Sequence, residues 1–365
     1  MYKTLRSLLF KADPETAHIQ IIYALKRVPS ILGAENFLRK TFFTPPKAVT
    51  AFGLYFHNPV GLAAGYDKDA VAVRGLATLG FGHIEVGTIT PLPQAGNPPP
   101  RVFRLSEDKA VINRMGFPSA GSAKVLRSLK AIGHCKNRNI KEKKVIEIHK
   151  FIPKKLPKKR QTRMVLGINI GKNKNTPNEE AVYDYLSLLQ LFAPCADYIA
   201  INISSPNTVG LRDLQGRAAL ESLLKELDYQ RKEEQKILRK RLPLLVKLSP
   251  DLSDEELRDA LDVILDTGMD GVIATNTTLA RDGLKSAQRQ ETGGVSGTPL
   301  RVKSEAILSQ IVKQVDGKIP IISSGGIMNP EDAKRRLDLG ATLVQIYTGL
   351  IYEGPGLVKR IVQSL

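Results

Sequence analysis

From residue 58 onward, short apolar runs alternate with helical stretches, and this alternation constrains the fold more than any other feature. The short runs are rich in Val, Ile and Leu and predict buried strands, whereas the stretches between them carry apolar residues at helical spacing. Strands that alternate with crossover helices are parallel. Eight strands are predicted, at residues 60–64, 83–86, 165–170, 198–202, 244–248, 271–274, 320–323 and 343–347.

Eight such repeats predict a closed (β/α)8 TIM barrel of the α/β class, and 365 residues suffice for one barrel of about 250 residues with additional segments. A doubly wound open sheet is the alternative. The barrel is favoured, because no Gly-x-Gly-x-x-Gly motif follows the first strand. Helices are expected at residues 179–192, 213–240, 253–267 and 330–339, with a last helix after Pro355.

Residues 1–45 are predicted to form a separate helical segment, followed by the barrel at 46–365. Asp13 and Pro14 have the residue types of a helix N-cap and first position, and apolar residues recur at helical spacing after them. No run of 18 apolar residues is present to span a bilayer. The N-terminus also lacks the apolar core and cleavage site of a signal peptide.

Two segments interrupt the alternation of strands and helices. Residues 90–116 are rich in proline and polar residues. Residues 134–163 contain twelve Lys or Arg and two Glu, which supply +10 of the net charge of +18. Weak apolar periodicity predicts a solvated surface excursion there. The alternatives are attraction to anionic lipids and nucleic-acid binding, but no recognised motif or interleaved aromatic residues support the latter, and no nucleic acid is expected.

The cysteines and histidines argue against a structural metal or a disulfide scaffold. Cys135 and Cys195 are too few and too far apart in the sequence for a disulfide framework or a zinc site, which favours reduced thiols in the cytosol. The five histidines are scattered without metal-ligand spacing. No metal is therefore expected.

Amides and hydroxyls cluster where the predicted strands end. The fourth strand runs into Asn202-Ile203-Ser204-Ser205-Pro206-Asn207, and the sixth runs into Thr275-Asn276-Thr277. In TIM barrels the active site lies at the carboxyl ends of the strands, so these groups are expected to surround a ligand rather than to form polar surface turns. A neutral, heteroatom-rich ligand such as a pyrimidine suits the asparagines, which are Asn113, Asn169, Asn202, Asn207 and Asn276.

A lysine and several glycines point to an anionic group on a ligand. Lys247 lies in an apolar strand, where burial is costly unless the ammonium meets an anion; a lysine that reaches outward to solvent is the alternative. Glycines follow the last two strands, at Gly325-Gly326 and Gly349, and they let backbone N–H groups approach a phosphate. A phosphate-bearing cofactor is predicted. Residues 292–297 are expected to form a flexible loop against a flat ring, or a simple linker.

Eight motifs resemble those of the dihydroorotate dehydrogenase family, specifically its membrane-associated, quinone-reducing class 2. The resemblance covers residues 1–133 and 164–365. Ser205 stands where class 1 enzymes have Cys, which favours class 2. The motifs are AAGYDK (63–68), PRVFR (100–104), NRMGF (113–117), GINIGKN (167–173), NISSPNT (202–208), TNTT (275–278), GGVSG (293–297) and YTG (347–349).

This resemblance implies FMN-dependent oxidation of dihydroorotate to orotate in de novo pyrimidine (UMP) biosynthesis. Ser205 would be the catalytic base that takes the C5 proton, while hydride passes to flavin N5. FMN would be held by Ala64, Gly65, Lys68, Thr88, Asn169, Asn202, Lys247, Thr275, Gly297, Gly326, Tyr347 and Thr348. Dihydroorotate would be held by Lys68, Asn113, Arg114, Met115, Gly116, Phe117, Asn202, Asn207, Asn276 and Thr277.

The electron acceptor that the resemblance implies is a membrane quinone, beside His18, Arg104 and Tyr347. Without the family context, His18 is interpreted as an ordinary helix residue. The N-terminal helices would lie on the cytoplasmic side of the cell membrane as a peripheral contact, since amphipathic helices lie on a bilayer rather than cross it. Because class 2 enzymes are often monomeric, the resemblance also implies that this protein is a monomer.

The chain departs from the family pattern in two places. Pro118 stands where the family usually has Asn; proline has no N–H to donate, so one polar contact is lost or replaced by Ser119. The basic segment at 134–163 has no role in the family. Another FMN barrel enzyme, such as a 2-hydroxy-acid oxidase, is disfavoured, because no histidine lies at a suitable strand end.

Overall fold

The protein is described by a computed structural model that covers residues 2–135 and 164–365. All but the first two residues of the predicted basic excursion at 134–163 therefore lie outside the described residues. Across the two described ranges, no helix combines the length and the apolar character that crossing a membrane requires.

Three helices precede the strands of the barrel in the chain. The Asp13 carboxylate caps the second helix by accepting the Thr16 N–H at 2.8 Å, and Pro14 occupies the first turn, where no N–H is needed. The Tyr2 hydroxyl anchors the first helix by donating to the Ile351 carbonyl at 2.6 Å. The helices are α1 (Tyr2–Leu9), α2 (Pro14–Arg27) and α3 (Ala34–Thr41).

An antiparallel hairpin of β1 (Val49–Ala51) and β2 (Leu54–Phe56) covers the amino end of the barrel. Phe56 at the end of this hairpin is fully buried and meets the His83 ring edge-on at 5.5 Å between centroids. Tyr198 is also fully buried in this cluster. The hairpin thus seals one end of the barrel with aromatic side chains and leaves the carboxyl end open.

Eight parallel strands close into a barrel, which confirms the predicted TIM barrel and excludes the open sheet. Each strand pairs with the next in the chain, and the last pairs with the first through Val344 and Val60. All five residues of Leu244–Leu248 are buried, as expected for parallel strands covered on both faces. The strands are β3 (Val60–Leu62), β4 (His83–Ile89), β7 (Val165–Ile170), β8 (Tyr198–Asn202), β9 (Leu244–Leu248), β10 (Gly271–Ala274), β12 (Ile321–Ser324) and β13 (Leu343–Ile346).

The helices of the barrel begin close to their predicted positions. Ser253 and Glu256 form a reciprocal capping box that starts the helix at Asp254. The helix predicted at 213–240 begins at Arg217, because Leu211–Gln215 forms a 3-10 turn before it. The helices are α4 (Val73–Leu76), α5 (Ser122–Ala131), α6 (Ala181–Phe192), α7 (Arg217–Leu238), α8 (Asp254–Asp266), α9 (Arg301–Val315), α10 (Pro330–Asp338), α11 (Thr348–Glu353) and α12 (Gly356–Ser364).

A three-stranded antiparallel sheet stands at the mouth of the barrel. It consists of β5 (Val102–Leu105), β6 (Ala110–Asn113) and β11 (Gly294–Gly297), with β6 in the centre. The flexible loop predicted at 292–297 is therefore wrong, because its last four residues form a strand that pairs with β6. A side chain at Gly294 would collide with that of Thr277, so glycine allows β11 to lie close to the end of β10.

Cys135 and Cys195 form a disulfide, so the prediction of reduced thiols is wrong for this structure. The two residues are 60 positions apart in the sequence. Cys135 follows α5 and Cys195 follows α6, and these two helices are neighbours on the outside of the barrel. Separation in the sequence is a poor guide to distance here, because each βα unit brings the chain back to the same end of the barrel.

Candidate active site

The carboxyl ends of the barrel strands surround a cavity of about 1010 Å³, including its open mouth. This volume is at the upper end for pockets that enclose a small molecule. Eleven of the twelve residues predicted to hold a cofactor line it. They are Ala64, Gly65, Lys68, Thr88, Asn202, Lys247, Thr275, Gly297, Gly326, Tyr347 and Thr348.

Most residues predicted to hold the substrate line the same cavity, together with Ser205. Arg114 does not; its guanidinium pairs with Glu291 at 2.6 Å and lies over the Phe103 ring at 4.5 Å from the centroid. Its neighbours Asn113 and Met115 both line the cavity. Besides Lys68 and Asn202, the lining residues of this set are Asn113, Met115, Gly116, Phe117, Asn207, Asn276 and Thr277.

Asn169 lies one layer below the cavity and orients the residues that line it. Its side chain is fully buried, and its Oδ1 accepts the Thr88 hydroxyl at 2.6 Å. The Asn202 Nδ2 donates to Thr88 Oγ1 at 2.8 Å. On its other side, Asn169 Nδ2 donates to Glu85 Oε1 at 2.8 Å. This chain of bonds fixes which amide atoms Asn202 presents upward.

Glu85 and Gln345 are two functional candidates that the sequence analysis missed. The Glu85 carboxylate is fully buried inside the barrel and accepts the Tyr198 hydroxyl at 3.0 Å and the Gln345 amide at 2.9 Å. Buried charge is costly unless it is hydrogen-bonded. A charged residue within the apolar strand β4 was the available signal, of the same kind as Lys247 in β9.

Two lysines line the cavity, and neither forms an ion pair with any residue that the structure describes. Burial lowers the pKa of Lys247, and the Glu85 charge opposes that effect. Burial also lowers the pKa of Lys68, to about 8, while its Nζ donates to the Gly65 carbonyl at 2.9 Å. Ammonium groups that face a cavity without a carboxylate partner suit an anionic ligand.

Ser205 lies at the cavity wall, only 5% exposed, and its Oγ accepts the Asn207 backbone N–H at 3.3 Å. The Asn207 side chain in turn donates to Asn113 Oδ1 at 3.2 Å. Ser119, the residue predicted to replace a contact at Pro118, is not among the residues that line the cavity, and its hydroxyl accepts the Gly121 N–H at 3.1 Å.

A glycine turn forms the end of the cavity that follows β12. Gly325 and Gly326 have φ angles of +105° and +76°, a left-handed region that glycine adopts without strain. Both residues line the cavity. No described residue accepts a hydrogen bond from either backbone N–H. Such free amides suit the oxygens of a phosphate.

A second cavity, of about 840 Å³ with its opening, lies between α1, α2 and the barrel. His18, Arg104 and Tyr347, the three residues predicted beside a quinone, all line it. The His18 ring meets Tyr66 edge-on at 4.9 Å between centroids, and burial, followed by the nearby Lys68 charge, lowers the pKa of His18 to about 4. Five residues line both cavities and form the wall between them: Lys68, Asn113, Met115, Ser296 and Tyr347.

The fold and the site together define a (β/α)8-barrel enzyme whose polar cavity adjoins a second cavity under N-terminal helices. Among the residues of the two described ranges, no cluster of His, Cys, Asp and Glu could hold a metal ion. The family model for dihydroorotate dehydrogenase matches residues 47–365. The chain belongs to the dihydroorotate dehydrogenase family and is an oxidoreductase.

Relatives extend this similarity to the whole chain. It is 45% identical over 369 aligned positions to a dihydroorotate dehydrogenase (quinone) of Idiomarina loihiensis, with 100% of each chain covered. It is 44% identical to the enzyme of that name from Halorhodospira halophila, covering 100% of this chain and 97% of the relative. The crystal structure of DHODH from Eimeria tenella in complex with ferulenol superimposes with a TM-score of 0.79 at 39% identity, covering 96% of this chain and 90% of the other.

Proposed function

We propose that the protein oxidises dihydroorotate to orotate with FMN as cofactor and a membrane quinone as electron acceptor, in de novo pyrimidine biosynthesis. The observation that carries this proposal is the wall shared by the two cavities. A cofactor in the polar cavity would have a substrate on one side and the acceptor cavity on the other, as two half-reactions require. Family membership and the names of the relatives agree with this assignment.

The polar cavity offers the groups that FMN needs. The free amides of Gly325 and Gly326 would bind the phosphate, and Lys247 would balance negative charge that develops on the flavin. Bound FMN would supply the acceptor for the hydride lost from dihydroorotate. The residues proposed to hold it are those lining the polar cavity, supported from below by Asn169: Ala64, Gly65, Lys68, Thr88, Asn202, Lys247, Thr275, Gly297, Gly326, Tyr347 and Thr348.

The substrate would lie between the cofactor and the loop that follows β8. Lys68 would pair with the carboxylate of dihydroorotate, and amide side chains would bind the ring edges. Fixing the ring in this way aligns the reacting carbons with the cofactor and with the base. The amide and hydroxyl groups available for this are Asn113, Asn202, Asn207, Asn276 and Thr277.

Ser205 would take the proton from C5 of dihydroorotate. A serine hydroxyl can accept that proton only as its own proton passes to a water molecule, and the Asn207 N–H at 3.3 Å would stabilise the oxygen as negative charge develops. Burial of Ser205 keeps bulk water from competing for the reacting carbon.

The second cavity would admit the quinone from the membrane. Helices α1 to α3 and the segments beside them expose large apolar side chains, which suits a peripheral contact with the cytoplasmic face of the cell membrane by a monomer. His18, Arg104 and Tyr347 would lie beside the quinone. The exposed apolar side chains are Leu5, Leu8, Ile19, Tyr23, Ile31, Leu32, Phe37 and Phe43.

The proposal is tested by flavin absorbance in an anaerobic cuvette. Purified protein is expected to be yellow, because oxidised flavin absorbs at roughly 450 nm. Addition of dihydroorotate should remove this absorbance, and a short-chain quinone should restore it. A colourless protein, or a yellow one that dihydroorotate does not bleach, would contradict the proposal.

The role of Ser205 is tested by Ser205→Ala, with the exposed Ser187→Ala on α6 as matched control. Turnover of Ser205→Ala is expected to fall by about 10²–10⁴-fold, the usual contribution of a general base, with FMN content unchanged. Ser187→Ala should turn over at the normal rate. Near-normal turnover of Ser205→Ala would reject the assignment of the base.

A further inference from the structure

Arg336 on α10 is a fully buried arginine directly beneath the glycine turn. Its Nη2 donates to the Gly325 carbonyl at 2.9 Å and to the Ser304 hydroxyl at 2.7 Å. The Glu305 carboxylate lies 3.4 Å from its Nε. Burial lowers the pKa of the Arg336 guanidinium to about 10, so the group keeps its charge at neutral pH.

The bond from Arg336 determines where the next backbone N–H points. In a trans peptide, the carbonyl of one residue and the N–H of the next point in opposite directions. The Gly325 carbonyl points down to Arg336 and also accepts the Ser304 hydroxyl at 2.9 Å. The Gly326 N–H therefore points away from Arg336, toward the cavity that Gly326 lines.

Asp332 holds the other end of the same turn. Its carboxylate is fully buried and accepts the Met328 N–H at 2.9 Å. Two points of the turn are thus attached to α10, the Gly325 carbonyl to Arg336 and the Met328 N–H to Asp332. Asp332 and Arg336 lie about one helical turn apart. Between these two points, no described residue accepts the N–H of Gly326 or Ile327.

We propose that Arg336 is a positioning residue for phosphate binding: it holds the Gly325–Gly326 peptide in the orientation that offers its N–H to the phosphate monoester of the cofactor. The inference rests on the proposed function, because it assumes that the polar cavity binds FMN. Arg336 does not line the cavity itself, so it acts through the turn and has no direct contact with the ligand.

The test compares FMN with riboflavin, which lacks the phosphate. Flavin-free full-length protein is titrated with each flavin, and quenching of flavin fluorescence gives both dissociation constants. Arg336→Met is expected to weaken FMN binding by about tenfold or more, the usual effect of losing a hydrogen bond to a charged group, while riboflavin affinity stays within about twofold. Arg336→Lys should restore part of the loss. Lys334→Met, an exposed position on the same helix, is the matched control.

A loss of structure in Arg336→Met would be recognised by weaker binding of both flavins. Ser304→Ala then decides, because it removes the smaller of the two donors to the Gly325 carbonyl and should lower the FMN-to-riboflavin preference by itself. Unchanged preference in both variants would overturn the inference. A wild-type protein that binds neither flavin would instead contradict the proposed function.

Discussion

The residues that carry the site are polar groups placed at the edge of an apolar interior. Lys68 shows the consequence, because it is half-buried in the wall between the two cavities and burial lowers its pKa to about 8. An ammonium with such a pKa changes charge close to neutral pH. Binding of an anionic substrate by Lys68 should therefore depend on pH.

At the residue scale we expect kcat/KM for dihydroorotate to fall as pH rises through about 8, because Lys68 loses the proton that its proposed interaction with the substrate carboxylate requires. Lys68→Met should lower kcat/KM by about ten- to hundredfold below pH 8 and remove this fall. The measurement is a series of steady-state rates between about pH 6 and 10, a range centred on the pKa of Lys68 in the folded protein. If kcat/KM of Lys68→Met still falls above about pH 8, another titrating group causes the fall.

At the scale of elements, α2 forms one side of the second cavity. Ala17 on this helix is buried and lines the cavity, whereas Gln20 on its other face is exposed. A small residue at position 17 keeps space open between α2 and the barrel. The helix would therefore control access to the acceptor without touching the substrate.

We expect Ala17→Leu to slow reoxidation of the reduced flavin by a short-chain quinone by about tenfold, or about 1.4 kcal/mol, because the larger side chain fills space that the quinone would occupy. Bleaching by dihydroorotate should stay within about twofold, because the change lies outside the polar cavity. Stopped-flow absorbance separates the two half-reactions, and Gln20→Leu is the control. Equal slowing of both half-reactions would contradict the prediction that α2 controls only the reaction with the quinone.

At the scale of the whole molecule, the barrel is closed at its amino end by a buried aromatic cluster that His83 adjoins. The ring is fully buried, and neither of its nitrogens has a hydrogen-bond partner among the described residues. Burial lowers the pKa of His83 to about 3. The folded protein therefore keeps His83 neutral at pH values where the unfolded chain binds a proton.

We expect His83 to make the folded state less stable as pH falls from about 6.5 toward 3, because in that window only the unfolded state binds the extra proton. The slope contributed by this residue is at most about 1.4 kcal/mol per pH unit. His83→Phe should flatten the dependence of the unfolding midpoint on pH between 7 and about 4.5, even if its stability at pH 7 differs. A parallel curve for the variant would exclude His83 as the source.

Much of the fold follows from local patterns. Four of the eight predicted barrel strands have the observed bounds, among them Leu244–Leu248 and Tyr198–Asn202. The polar strand ends also meet at one cavity as predicted. The strand Gly294–Gly297 was missed, because its glycines carry no strand propensity and it forms only by pairing with Ala110–Asn113. Arg114 was placed with the substrate by its motif, but its side chain pairs with Glu291.

Hydrophobic periodicity and strand-end chemistry are local properties of the chain, and they were enough to predict the barrel and the edge at which its site lies. The pairing of Cys135 with Cys195, the support of the cavity floor by Glu85 and the bond from Arg336 to the glycine turn became visible only in the folded molecule. Each of these contacts joins residues from different elements. Their partners depend on how the closed barrel brings distant segments together, which no local pattern encodes.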